Sequence, residues 1–323
     1  MGTSQRCLVS FVVPLFNEER SVRELYERVS SAALLTGGSF ELVCIDDDSN
    51  DDTLKILKAL CAADPRVKVV SFSRNFGHQL AVTAGLRYAS GEYVLVMDGD
   101  LQDPPELIGP MLAKAKEGFD VVYGIRRNRK ESIFKRLCYR AFYRILQAIS
   151  PLSIPLDAGD FCLMSRRVVL EMRRINEGRP FVRGLRAWVG FRQTGVKYDR
   201  NARTKGDSKY NLMRLFSLAF DGTLSFSVNA LRVAVFMGML VAFASMGYAV
   251  YIGVNRILIA LGYVHSAHLI PGWATLVCSV MFFIGLQFIF LGILGEYVGR
   301  IFMEVKDRPL FVVKEEMGFG DDR

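Results

Sequence analysis

The sequence predicts an α/β protein: a doubly wound, mostly parallel sheet followed by two membrane-spanning helices. Three observations lead there. Short apolar runs of strand type alternate with helix-length segments from Cys7 to Ile125, the pattern of successive βαβ units. Those runs empty into acidic loops, at Asp46–Asp52 and again at Asp98–Asp100. Beyond residue 228 the chain turns apolar, with two uncharged stretches long enough to cross a bilayer.

Cys7–Val13 (CLVSFVV), apolar but for Ser10, has the look of a parallel strand buried on both faces. It opens into Pro14-Leu15-Phe16-Asn17-Glu18-Glu19. Ser21 and Glu24 then form a capping box for a helix to about Leu35, stopped by Gly37-Gly38. The second strand, Phe40–Ile45, runs into Asp46-Asp47-Asp48-Ser49-Asn50-Asp51-Asp52. So dense an acidic cluster at a strand's end points to more than a solvated face. Asp52 suits the cap of a helix over Thr53–Ala63, and Asp47 is assigned to ligand. Val67–Phe72 is the third strand, followed by Ser73-Arg74-Asn75-Phe76-Gly77-His78-Gln79 and a helix over Leu80–Ala89.

Tyr93–Met97, the fourth strand, ends in Asp98-Gly99-Asp100, at the sheet edge where open α/β folds bind ligands. In Asp103-Pro104-Pro105-Glu106, Asp103 suits an N-cap, Pro104 the first turn and Glu106 the capping-box position of a helix to about Glu117. Two carboxylates this close repel unless a cation lies between them. Hard oxygen ligands suit Mg²⁺ or Mn²⁺, usually shared with substrate phosphates. A solvated acidic turn is the competing reading of the motif alone. Asp120–Ile125 is the fifth strand. No GxGxxG follows the first strand and no GxxxxGK[ST] occurs, which disfavours a dinucleotide dehydrogenase or a P-loop NTPase.

From Gly124 to Gln147, Arg126, Arg127, Arg129, Lys130, Lys135, Arg136, Arg140 and Arg144 face a single acid, Glu131. Arg136, Arg140 and Arg144 share a ridge opposite an apolar face. This basic amphipathic helix suits an anionic bilayer surface, or alternatively packs on its own domain. Nucleic-acid binding ranks below both, because the later spans already require a membrane. In Leu156-Asp157-Ala158-Gly159-Asp160-Phe161, Gly159 permits a close backbone approach and Asp160 is the candidate to enter a site. Phe161–Met164 is strand-like, Ser165–Ile175 helical and Phe191–Tyr198 a strand. Arg203-Thr204-Lys205-Gly206-Asp207-Ser208-Lys209-Tyr210 either closes over a pyrophosphate or is a solvated basic loop.

The 323-residue chain carries a net charge of +8, which fits anionic partners, and six cysteines without a CxxC pair, which fit reduced thiols in the cytosol. The first residues lack signal-peptide character. Val233–Val254 and Trp273–Gly295 contain no Asp, Glu, Lys or Arg. The segment between them holds one fixed positive charge, Arg256, so both termini are expected in the cytosol. Ile257–Ile270 is also apolar, and a re-entrant path for it stays open. The expected organisation is a cytosolic domain over 1–227 with interfacial helices about 132–149 and 208–221, a transmembrane hairpin over 228–296 and a cytosolic tail over 297–323. Glycines within the spans leave self-association into a homo-oligomer open.

Pro14-x-x-Asn17-Glu18, Asp46–Ser49, Ser73–Gly77, Asp98-Gly99-Asp100-Leu101-Gln102-Asp103-Pro104-Pro105, Gly159-Asp160-Phe161 and Ser208-Lys209-Tyr210 occur in this order. Gly295-Glu296-Tyr297-Val298-Gly299-Arg300-Ile301 and Lys306-Asp307-Arg308-Pro309 complete the set. With them the chain resembles the family 2 inverting glycosyltransferases of GT-A fold, within them the polyprenyl-phosphate (bactoprenol) glucosyltransferase group related to dolichol-phosphate mannose synthase. The resemblance implies that Pro14, Phe16, Glu18 and Asp47 hold the nucleoside, with Asn75, Gly77, Asp98 and Gly99 completing the nucleotide-sugar site. It implies Mg²⁺ or Mn²⁺ on Asp98 and Asp100 with help from Gln102. Asp160, with Asp157 beside it, is the catalytic assignment, and Arg126, Arg203, Ser208 and Lys209 would handle phosphates. Asp48 stands where this family often has Gly, and Phe16 where Tyr is common; both bear on donor recognition.

The implied partners are a nucleotide sugar, a polyprenyl phosphate and the inner membrane, with no nucleic acid. UDP-glucose and undecaprenyl phosphate are the first choices, with UDP-GlcNAc, UDP-galactose or GDP-mannose as alternative donors. A catalytically dead flippase partner and a sugar-phosphate nucleotidyltransferase are the rival classes. Intact Asp98, Asp100, Asp160 and Lys209 oppose the first, and the spans oppose the second.

Overall fold

The computed structural model describes residues 7–126, 158–178, 180–199 and 272–320, with helical or turn positions 240, 243, 247, 250, 251, 254, 257, 258 and 261–263. The chain divides into two units. One comprises Met1–Gln147, Leu152–Leu215 and Arg308–Arg323, the other Ala148–Pro151 and Phe216–Asp307.

The first unit is built on a sheet of β1 (Val9–Leu15), β2 (Phe40–Asp46), β3 (Val67–Phe72), β4 (Tyr93–Val96), β5 (Val121–Arg126), β6 (Ala158–Ser165), β7 (Gln193–Tyr198) and β8 (Val313–Met317). Its spatial order is β7-β5-β6-β4-β1-β2-β3-β8. The pairs β1–β2, β1–β4, β2–β3 and β5–β7 are parallel, whereas β6 is antiparallel to β4 and β5, and β8 to β3. Every residue of β1 and β2 is buried, which is why both appear in the sequence as mainly apolar runs; the polar exceptions are hydrogen-bonded, Ser10 donating to Glu41 and Ser71 to Asp46.

Helices α1 (Val22–Leu34), α2 (Thr53–Ala63) and α4 (Ile108–Lys116) pack together on one side. There Leu25, Val29, Leu57 and Met111 join Phe11, Val13 and Leu15 in the main core. The helices α3 (His78–Tyr88), α5 (Arg166–Arg174) and α6 (Val182–Trp188) pack with one another. The crossovers leave the β1, β2, β3 and β4 carboxyl ends at one edge, each followed by a loop into a helix.

Three expected caps give way to other contacts, two of them local and one tertiary. Ser21 stands at the N-cap of α1, but its hydroxyl donates to the Glu18 carbonyl (3.1 Å) and carboxylate (2.9 Å). At α2 it is Asp51, not Asp52, that accepts the Thr53 N–H (3.0 Å). Asp103 does not cap: it is buried and accepts the Tyr198 hydroxyl, and a 3₁₀ turn over Pro105–Leu107 leads into α4. Glu106 pairs with Arg28 through two 2.9 Å bonds instead of completing a box.

In the second unit α7 (Gly272–Val305) runs for 34 residues, about 51 Å at 1.5 Å per residue. Among the described residues one helical segment, Phe282–Val305, is long and apolar enough to cross a membrane, with a mean hydropathy of 1.7. The helix continues ten residues beyond the expected end of the span at Gly295, through Glu296 and Glu304, because charged residues do not interrupt helical hydrogen bonding. Most of the other expected span, 233–254, lies outside the described residues; its described positions are helical and exposed. The interfacial helices expected about 132–149 and 208–221 also lie outside them.

Candidate active site

The first three strand-end loops are tied to one another. Asn17, with φ +56°, receives the Asn50 N–H on Oδ1 (2.8 Å) and donates its own N–H to Ser49 Oγ (3.0 Å). The Glu18 N–H reaches Thr53 Oγ1 (2.9 Å), and the Asp47 N–H reaches the carbonyl of Leu15, the residue after Pro14 (2.9 Å). Phe16, between them, leaves 44% of its surface exposed. Buried Asp46 accepts the Ser71 hydroxyl (3.0 Å) and the Ser49 N–H (3.3 Å).

Asp47 fixes the third loop. Its two carboxylate oxygens accept the N–H groups of Phe76 (2.7 Å) and Gly77 (2.9 Å), and its carbonyl accepts Asn75 Nδ2 (3.1 Å). Gly77 has φ +99°, a conformation that a β-carbon disfavours, and α3 starts at the next residue. An acid at the end of β2 thus anchors the start of α3. Burial pushes the Asp47 carboxyl up, with Asp46 and Asp48 adding to it, while the two amides work in the opposite direction.

The second cluster lies where β4 ends. A β-carbon on Gly99 would fall 2.4 Å from Leu15 Cδ2, so any larger residue must displace the buried Leu15 side chain for the Asp98–Asp100 turn to lie against the end of β1. Leu101 has φ +57°, and the Gln102 N–H donates to Asp100 Oδ1 (3.1 Å). Asp98 Oδ1 is buried without a hydrogen-bond partner. Burial first, and then Asp160, Asp103 and Asp100, push the Asp98 carboxyl up to about 6, against the pull of His78.

His78 Nε2 lies 3.6 Å from Asp98 Oδ1 and 3.7 Å from Asp160 Oδ2. Arg183 grips Asp160 with two parallel bonds, Nε to Oδ1 (2.7 Å) and Nη2 to Oδ2 (2.9 Å). Burial alone would raise the Asp160 carboxyl, but Arg183 and then His78 hold it far below the usual carboxylate range. Burial likewise opposes protonation of His78, and Asp160 and Asp98 outweigh it, so the imidazole titrates above its ordinary value. Beside them Arg126, at the end of β5, donates to the Tyr198 hydroxyl (3.3 Å) and lies 3.7 Å from Asp103. A β-carbon on Gly159 would sit 3.5 Å from the same guanidinium.

The fold therefore gathers Asp98 and Asp160 around His78, with Arg126 near Gly159, and holds Asp47, Asn75 and Gly77 in the loop that leads to His78. Asp157, Arg203, Ser208 and Lys209 lie outside the described residues. Sequence reasoning misses two participants. His78 is hidden because the helix is expected from Leu80, whereas α3 starts at His78 itself. Arg183 sits in a short helix with a central glycine, and no spacing rule links it to a carboxylate 23 positions earlier.

The donor set fits a divalent cation. Asp98 presents a buried oxygen without a hydrogen-bond partner, and three acids raise the cost of its charge. Among the described residues no cluster of three or more His, Cys, Asp or Glu makes a closed cage.

Residues 10–173 match the model of glycosyl transferase family 2. The chain belongs to that family, and its mostly parallel sheet with strand-end acids is the GT-A type of α/β fold. It is 42% identical to the uncharacterized glycosyltransferase YkcC of Bacillus subtilis, over 99% of this chain and 97% of that protein. The bactoprenol glucosyl transferase of Shigella phage SfV is 38% identical over 95% of this chain and 98% of its own. Among solved structures, the mannosyltransferase PcManGT from Pyrobaculum calidifontis, in complex with GDP-Man and Mn²⁺, aligns at a TM-score of 0.47 with 16% identity, over 95% of this chain and 89% of that one.

Proposed function

We propose that the protein is a membrane-bound inverting glycosyltransferase that moves a hexose from a nucleotide sugar to the phosphate of a polyprenyl phosphate. Glucose, UDP-glucose and undecaprenyl phosphate are the first choices. The observation that carries the reading is the buried Asp98 oxygen left without a hydrogen bond, one imidazole away from an Asp160 clamped by Arg183. Near-full-length similarity to a bactoprenol glucosyl transferase and an apolar C-terminal helix support it.

Asp98 and Asp100, with Gln102, would hold Mg²⁺ or Mn²⁺. Bound there, the cation would neutralise charge growing on the leaving diphosphate. Asp47, Asn75 and Gly77, with Pro14, Phe16, Glu18 and Gly99, form the nucleoside end of the donor site. Arg126, Arg203, Ser208 and Lys209 serve the phosphates. The acceptor is a phosphate monoester with a second pKa of about 6, already ionised at neutral pH, so a strong general base is unnecessary. Asp160, kept charged by Arg183, orients the acceptor or steadies positive character at the anomeric carbon, with Asp157 as the second carboxylate of that segment. A lipid acceptor cannot leave the bilayer, so the domain would work at the membrane surface, and the single fixed positive charge between the expected spans, Arg256, favours the cytosolic face for it and for both termini.

The test is to incubate purified enzyme with a panel of nucleotide sugars, undecaprenyl phosphate and Mg²⁺ or Mn²⁺. Transfer to lipid from one donor, stopped by chelator and by Asp98→Ala with Asp100→Ala, is expected. Undiminished transfer in excess chelator would sink the metal assignment, and no lipid product from any donor would sink the reaction.

A further inference from the structure

We propose that Phe311, in the tail just ahead of β8, is a positioning residue for the donor loop 73–78, so that the segment after the membrane helix sets affinity for the nucleotide sugar. The inference rests on the donor site proposed above. From Phe311 to Phe319 the tail is held to the sheet and its helices. β8 covers the outer edge of β3, Lys58 pairs with Glu315 (2.5 Å), Tyr88 donates to Glu316, and the rings of Tyr88 and Phe319 meet at 5.1 Å. These contacts explain why the tail docks. They do not explain the register break between Ser71 and Phe72, just where β3 gives way to the donor loop.

At that break the tail supplies two different contacts. The Val312 carbonyl accepts the N–H of Ser73, the first residue of the loop (3.0 Å). The Phe311 ring stacks on the buried Phe72 ring, with centroids 5.1 Å apart and planes inclined by 20°. Phe72 in turn meets Phe76 edge to face, at 5.5 Å and 81°. Phe76 is the residue whose N–H binds Asp47, and Arg74 lies 4.0 Å over its ring. One continuous set of contacts therefore runs from Phe311 through Phe72 and Phe76 to Asp47 and the start of α3, where His78 faces Asp98 and Asp160.

The loop has two anchors: Asp47 on the site side and the tail on the outer side. Ser73, Arg74 and Asn75 are exposed and bury little of their own surface. With Phe311 removed, Phe72 loses its stacked neighbour and Phe76 loses the support behind it. The amides that hold Asp47 then become mobile, and binding must pay to order them. Asp160, proposed above to orient the acceptor, and the phosphate residues Arg126, Arg203, Ser208 and Lys209 lie outside the loop 73–78, so the donor side should respond.

The experiment uses the full-length enzyme in lipid nanodiscs with UDP-glucose and undecaprenyl phosphate, each varied at saturating levels of the other. For Phe311→Ala the donor KM should rise about tenfold, the scale of a lost aromatic pair with its packing, while the lipid KM stays within about twofold. Phe311→Tyr, which keeps the stack, should restore the donor KM. Glu315→Gln loosens β8 away from the stack and should leave the donor KM unchanged. Should Phe311→Ala fail to yield folded protein, Phe311→Leu takes its place with the same expectation in smaller measure. An unchanged donor KM, equal rises in both KM values, or the same rise in Glu315→Gln would overturn the proposal. A wild-type enzyme that moves no glucose overturns the donor reading first, and this inference falls with it.

Discussion

Replacing Arg183 with alanine separates the arrangement at Asp160 from a mere surface ion pair. The guanidinium makes two charge-assisted bonds of 2.7 and 2.9 Å to a carboxylate whose side chain is 10% exposed, while Arg183 itself is 40% exposed. Removing one partner of a buried pair costs about 3–5 kcal/mol, because the other charge is left uncompensated. With the arginine side open to solvent, the low end applies. His78, at 3.7 Å, compensates only in part. We therefore expect Arg183→Ala to lose about 3 kcal/mol, roughly 6–12 °C in Tm for a domain of this size. The double variant Arg183→Ala, Asp160→Ala should recover most of that loss, since no buried charge is left behind. Turnover should fall about 100-fold in Arg183→Ala, the scale of a misplaced reacting group. Thermal unfolding of the detergent-solubilised enzyme and glucose transfer to lipid measure the two effects. A variant with wild-type Tm and turnover, or a double variant whose losses simply add, would refute the reasoning.

Three shorter predictions follow from the same geometry. Asp98→Asn keeps the volume but removes the charge, and should abolish both transfer and its stimulation by added Mn²⁺, read by lipid-product formation across a metal titration. Gly99→Ala forces a methyl into Leu15, costing about 1–3 kcal/mol and displacing both neighbouring acids, so activity should fall. Adding Leu15→Ala should return part of it. Arg66, bonded to Asp64 at 2.7–2.9 Å, holds that carboxyl down at about 2 against an ordinary 3.8. A lowered folded pKa stabilises above the unfolded value and is lost as pH falls through the folded one. Arg66→Ala should therefore be less stable than wild type above about pH 4, and the difference should vanish towards pH 2, as followed by circular dichroism.

What the sequence makes legible follows burial. The strands β1, β2 and β3 lie within two residues of their expected bounds, because a strand covered on both faces is mostly apolar and its few buried polar positions, such as Ser10, Glu41, Asp46 and Ser71, bond to one another. By contrast β8 reads VKEEM, an edge strand with three consecutive charges and no hydrophobic run, so the cytosolic tail is expected without the strand that pairs with β3. The antiparallel course of β6 is equally silent, since strand direction comes from what the crossover allows and not from composition. Caps fail for a related reason. Ser21 and Asp103 have the right chemistry for a helix start, yet Glu18 and Tyr198 offer partners that a local motif cannot foresee. His78 and Arg183 meet the candidate acids only through the packing of α3 and α6 beside the sheet.

The acidic residues sort themselves by the hydrogen bonds they already make. Asp46 is occupied by Ser71 and Ser49, Asp51 by Thr53 and Glu19, and Asp47 by two amides of the α3 loop. Each keeps a loop in register, so the crowded cluster after β2 is largely the scaffold of the site. The sparser Asp98–Asp100 turn is different in kind, because Asp98 keeps a buried oxygen that makes no hydrogen bond, with His78 Nε2 3.6 Å away. A carboxylate in that condition tends to take up a proton or a cation, and its carboxyl at about 6 expresses the same demand. Density of acids in the sequence therefore marks where loops are tied together, whereas an unanswered acceptor marks where a ligand is awaited. On that criterion we propose the Asp98 turn as the reacting end of the site and Asp47 as the anchor of its nucleoside end. A substitution at Asp47 should consequently act on donor KM, and one at Asp98 on kcat.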